Sequence, residues 1–109
     1  MGLAASQARY LTLTARQSDL EFQGQMINQA RMSLADTTGD LYTITANLDP
    51  ESPAAIAIQA RIAGIQTIDK ALELQLRRVD TQRQAVVTEV DAVKKVIDKN
   101  IEQTFKTFA

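Results

Sequence analysis

The stretch Asn47-Leu48-Asp49-Pro50-Glu51-Ser52-Pro53 holds both prolines of this 109-residue chain, and its reading decides the fold. Pro50 drives Asp49 out of the helical region, and Pro53 does the same to Ser52. Asn, Asp and Ser add turn chemistry by bonding their own nearby backbone. Pro53 also suits the first turn of a new helix, where its missing N–H is no loss, with Ser52 as the N-cap. One helix therefore ends near Ala46 and the next begins at Pro53. The turn residues are Asp49, Pro50, Glu51, Ser52 and Pro53.

Upstream of the turn, Leu13, Leu20, Ile27, Leu34, Leu41 and Leu48 recur at intervals of seven. The residues four further on, Gln17, Gly24, Arg31, Thr38 and Thr45, are small or polar. This is one apolar row of a coiled-coil seam, with its second row largely missing. Asp36-Thr37-Thr38-Gly39-Asp40 combines five residues of low helix propensity, so a kink or loosening is expected there. Downstream, Leu72, Leu76, Val79, Val86, Val90, Val93 and Ile97 follow the four–three alternation of a fuller seam. Ile58, Ile62 and Ile65 extend it upstream, while Asp69 and Arg83 interrupt it. After Ile97 the stripe rotates to Ile101, Phe105 and Phe108. The expected fold is all-α: a single domain over 1–109, with helix 1 over about 3–46, a turn at 47–52 and helix 2 over about 53–106.

Two helices give each other only one apolar neighbour. Ile56, Ile68, Leu74, Val87 and Val96 lie off the second seam, and a small two-helix layer is marginal even when well closed. The hairpin is therefore expected to be obligately assembled, most simply with copies of itself. The expected assembly interface combines Leu13, Leu20, Ile27, Leu34 and Leu41 of helix 1 with Asp69, Leu72, Leu76, Val79, Arg83, Val86, Val90, Val93 and Ile97 of helix 2. It also includes the terminal Ile101, Phe105 and Phe108. Asp69 and Arg83 lie too far apart on one helix to pair with each other, and pairing between chains would make them register-setting residues. Phe105 and Phe108 on a fraying helix end would be a liability unless something buries them.

Composition narrows the chemistry. With 45% hydrophobic and 23% charged residues the chain sits in the range of folded proteins. It contains no His and no Cys, which removes the usual zinc ligands, thiol chemistry and histidine acid–base catalysis. No phosphate-cradling glycine loop appears, so no catalytic, cofactor or metal residues are nominated and an enzyme is not expected. Twelve basic and thirteen acidic residues, giving a net charge of −1, are interspersed. Without a basic stripe, nucleic acid is not an expected partner. Residues Met1 to Arg16 show no positively charged start followed by an apolar core, so no cleaved secretory signal is expected. No apolar run approaches the ~20 residues of a membrane span.

The turn Pro50-Glu51-Ser52-Pro53, the following Ala54-Ala55-Ile56-Ala57-Ile58-Gln59, and the end from Val90 to Ile97 with Ile101 and Phe105 resemble the needle subunits of type III secretion systems. Those subunits are small helical hairpins with a similar proline turn, close in logic to the terminal helices of flagellins. The resemblance implies export without a cleaved signal, an extracellular or cell-surface location, and self-assembly into a helical filament or needle-like tube with the C-terminal helix inward. The alternative expectation is a cytoplasmic coiled-coil adaptor or chaperone-like oligomer.

Overall fold

A computed structural model describes residues 2–108, the side chain of Phe108 excepted. The chain is a helical hairpin of two elements: α1, Leu3–Ala46, and α2, Pro53–Phe108. No strand occurs among the described residues.

Local hydrogen bonds make the turn. The Ser52 amide donates to the Asp49 carbonyl at 3.0 Å, and the Glu51 amide to Asp49 Oδ1 at 3.1 Å. Ser52 Oγ then accepts from the Ala55 amide at 3.2 Å, capping α2 at the residue before Pro53. At the other side, the amides of Asn47 and Leu48 tighten the end of α1 with bonds to the Ile44 and Thr45 carbonyls.

Residues 36–40, where a kink or loosening is expected, lie within one unbroken α1. Thr37 and Thr38 donate their hydroxyls to the Ser33 and Leu34 carbonyls at 3.0 and 2.9 Å, and Thr43 donates to Gly39. Each of these threonine hydroxyls is thereby satisfied within the helix instead of competing with it. Propensity is a weak force once a helix has a packed face to hold it.

Contacts fall into two units. Unit 1 joins the described residues of 1–23 and 79–109, and unit 2 is Gly24–Arg78 with the turn. In unit 1, Leu13, Leu20, Val86, Val90 and Val93 form a buried cluster, with Tyr10, Val79 and Ile97 packed against it. Arg9 Nη2 stands 3.7 Å from Glu89 Oε2, showing the antiparallel run of the two helices there. In unit 2 the buried apolar residues are Leu41, Ala55 and Ile62.

Candidate assembly interface

Burial along α1 follows one strict rhythm. Leu3, Ser6, Tyr10, Leu13, Gln17, Leu20, Gly24, Ile27, Arg31, Leu34, Thr38, Leu41 and Thr45 are buried or half-buried, and nearly every other described residue of α1 is exposed. These positions alternate three and four apart, so α1 presents a complete coiled-coil seam. The row that reads as missing in the sequence is therefore in use, filled by Gln17, Gly24, Arg31, Thr38 and Thr45. Thr38 and Thr45 enter the seam with hydroxyls bonded to the Leu34 and Leu41 carbonyls, at 2.9 and 2.8 Å. Their methyl groups are left to pack.

The same alternation in α2 runs through Ala55, Ile58, Ile62, Ile65, Asp69, Leu72, Leu76, Val79, Arg83, Val86, Val90, Val93 and Ile97, all buried or half-buried. The seam residues expected to bind other copies thus meet first within the hairpin. Leu13, Leu20, Leu41, Val86, Val90 and Val93 are buried by it. Ile27, Leu34, Leu72, Leu76, Val79 and Ile97 are only half-buried.

Within the hairpin, Asp69 and Arg83 each have an ion-pair partner inside the chain. Arg31 Nε donates to Asp69 Oδ1 at 2.8 Å and Nη2 to Oδ2 at 3.3 Å, a forked pair joining the two helices in unit 2. Such bidentate contacts are the geometrically specific form of an ion pair. The guanidinium hydrogen bond holds the Asp69 carboxyl below the ordinary carboxylate range, and the same bond raises Arg31 further above its own. Arg83 instead turns along its own helix, donating to Asp80 Oδ1 at 2.8 and 3.2 Å. One signal for the interhelical pair was present in the sequence: Arg31 and Asp69 lie nineteen residues either side of Pro50.

Beside that pair unit 2 carries an open groove of roughly 1170 Å³. Its floor includes Arg31, Leu34, Ile65 and Asp69. One wall is Asn28, Met32 and Ala35 of α1, and the other is Ala63, Gln66, Lys70 and Glu73 of α2. Met32, on the rim, is 67% exposed. Leu34 and Ile65 stay half-buried because the hairpin covers only one side of them.

In unit 1, Arg9 already stands beside Glu89 and α1 begins at Leu3, whereas α2 continues to Phe108. Its last turns extend past the described residues of α1. Ile101 is 39% and Phe105 74% exposed, so these side chains are not covered by the hairpin. The expected contact at Phe108 falls outside the described side chains.

Among the described residues, one buried polar side-chain atom has no partner: Ser6 Oγ, in the α1 seam of unit 1, is fully enclosed and unbonded. Ser6 occupies the position seven residues before Leu13, so its row continues with a side chain too small to be read as part of it. Among the described residues no helix is long and apolar enough to cross a membrane. Compared with family models, with curated proteins and with solved structures, the chain matches none.

Proposed function

We propose that this chain is a structural subunit that polymerises with copies of itself into a helical filament or needle-like tube outside the cell. The observation that carries the reading is the apolar surface left over when the hairpin is closed. In unit 1, Leu11, Phe22, Ile101 and Phe105 remain exposed, and in unit 2 Met26, Met32, Tyr42, Ile44, Ile56, Ile68 and Leu74 do. Single exposed apolar residues are ordinary, but this many on a hairpin of two helices call for partners. The exposed residues occur on both helices and in both units. A surface distributed in this way fits a subunit contacted from several sides, as polymerisation by repeated head-to-tail contacts requires. The placement outside the cell rests on the resemblance of the proline turn and C-terminal segment to secretion-needle subunits.

Truncation after Asn100 tests the reading. It removes the exposed Phe105 but leaves the buried seam from Leu13 to Val93 intact. Electron microscopy of the full chain across a concentration series is expected to show fibres of uniform width. The truncated chain is expected to stay helical by circular dichroism and form none. A monodisperse closed particle for the full chain at every concentration would instead support the coiled-coil adaptor.

A further inference from the structure

The groove of unit 2 and the exposed end of α2 match each other in charge pattern and residue spacing. Ile101 and Phe105 lie four apart, so they form one apolar ridge on the helix end. At 100° per residue, Lys99, Glu102 and Lys106 fall together on one flank of that ridge, and Asn100, Thr104 and Thr107 on the other. One flank is charged and the opposite one carries only uncharged polar groups.

The groove has the same asymmetry. Its α2 wall presents Gln66, Lys70 and Glu73, while its α1 wall presents Asn28, Met32 and Ala35, without a charge. The only charge contributed by α1 is Arg31, already forked onto Asp69. Wall and ridge also share a spacing. Gln66, Lys70 and Glu73 step by four and three, and Lys99, Glu102 and Lys106 by three and four. Set antiparallel, the two series align residue for residue.

We infer that the groove beside the Arg31–Asp69 pair is the docking site for residues 99–107 of a second copy, lying antiparallel to α2. This rests on the self-assembly reading above and names the contact that reading requires. Handedness allows only this direction. With the Ile101–Phe105 ridge facing the floor, a right-handed helix antiparallel to α2 turns Glu102 and Lys106 toward α2 and Thr104 toward α1. The parallel orientation reverses the flanks and sets the charged side against the uncharged α1 wall. In the antiparallel alignment Glu102 lies beside Lys70, Lys99 beside Glu73 and Lys106 beside Gln66. Phe105 then sits over Leu34 and Ile65, and Thr104 beside Met32. Wall and ridge belong to one uninterrupted helix, so the occupant comes from another copy.

The absence of cysteine makes a clean test possible. Chains carrying Met32→Cys are mixed with chains carrying Thr104→Cys and oxidised, with Gln75→Cys, exposed and outside the groove, replacing Met32→Cys as control. The expected result is a disulfide between the two variant chains for the groove position and none for the control. In parallel, the concentration at which assembly begins is measured by light scattering for Lys70→Glu, and for Lys70→Glu combined with Glu102→Lys in one chain. The single change is expected to raise it about fivefold, in keeping with loss of an exposed ion pair, and the double change to restore it. Circular dichroism confirms that each variant is helical. If the full chain assembles but neither cross-linking nor charge reversal discriminates, the docking site is wrong and the polymer reading stands. If the unmodified chain stays monomeric at every concentration, both fall.

Discussion

Units 1 and 2 are built on the same seam and close it to different degrees. In unit 1 the two seam rows of α1 are Ser6, Leu13 and Leu20 beside Leu3, Tyr10 and Gln17, and they face Val79, Val86, Val90, Val93 and Ile97. Leucine and valine at these spacings pack together, and five residues become buried in one cluster. In unit 2 the apolar row persists as Ile27, Leu34 and Leu41, but its companion is Gly24, Arg31, Thr38 and Thr45. Fewer apolar atoms stand across from Ile65, Leu72 and Leu76, and all three stay half-buried. An ion pair occupies the place of a hydrophobic contact, and a groove opens beside it. One repeat thus closes a buried cluster in unit 1 and leaves a groove in unit 2. Where leucine faces valine the hairpin buries five residues in one cluster, and beside Arg31 and Asp69 a groove stays open.

The largest expected effect separates the two units directly. Leu20→Ala empties a buried site in unit 1 and is expected to cost about 2–5 kcal/mol. Leu34→Ala, on the groove floor of unit 2, is expected to cost less than half as much, because its side chain is only half withdrawn from water. Urea unfolding of both variants under non-assembling dilution checks this. Equal losses would mean that unit 2 is as tightly packed as unit 1.

The ion pair supplies a second test. Asp69→Leu alone leaves Arg31 half-buried without its carboxylate and is expected to destabilise the hairpin. Adding Arg31→Leu is expected to recover the loss or improve on the original, since an apolar pair of similar volume avoids desolvating two charges. A double-mutant cycle on thermal unfolding reads the coupling.

The same pair gives unit 2 an acid sensitivity. The Asp69 carboxyl is held below its ordinary range by Arg31. Its contribution is therefore present above the unfolded value, about 3.9, and is lost as pH falls through the lower folded value. Arg31 stays protonated throughout and adds no slope of its own. The melting temperature is expected to fall below about pH 4. Asp69→Asn is expected to flatten that fall while lowering stability at neutral pH. An unchanged acid profile in the variant would assign the slope to other carboxylates.

Smaller gains are expected at sites where the hairpin leaves chemistry unused. Ser6→Ala removes the enclosed hydroxyl that bonds to nothing and is expected to stabilise unit 1 by about 1 kcal/mol. In unit 2, Gly39 and Gly64 sit mid-helix with open space where a Cβ would stand. Alanine at either is expected to add up to about 1 kcal/mol by helix propensity. Thermal melts at fixed low concentration resolve these changes, and a destabilised Gly64→Ala variant would show that this face is covered.

By itself the sequence determined what short-range chemistry controls. Pro50 and Pro53 set the break, Ser52 caps the second helix, and the Leu row with its valine-rich counterpart marks the faces that meet. Each depends on backbone sterics or on a spacing of seven residues, and so can be read from neighbours along the chain. Only the tertiary structure decided which polar residues share the seam. Gly24, Thr38 and Thr45 look like gaps in a repeat until a second helix lies against them. Arg31 and Asp69 look like separate interruptions until the turn brings them within 2.8 Å. The physical reason is that the relative register of two helices is a sum over all the contacts along their length. No single residue carries it, and the same sum leaves one end of the repeat sealed and an open groove beside the other.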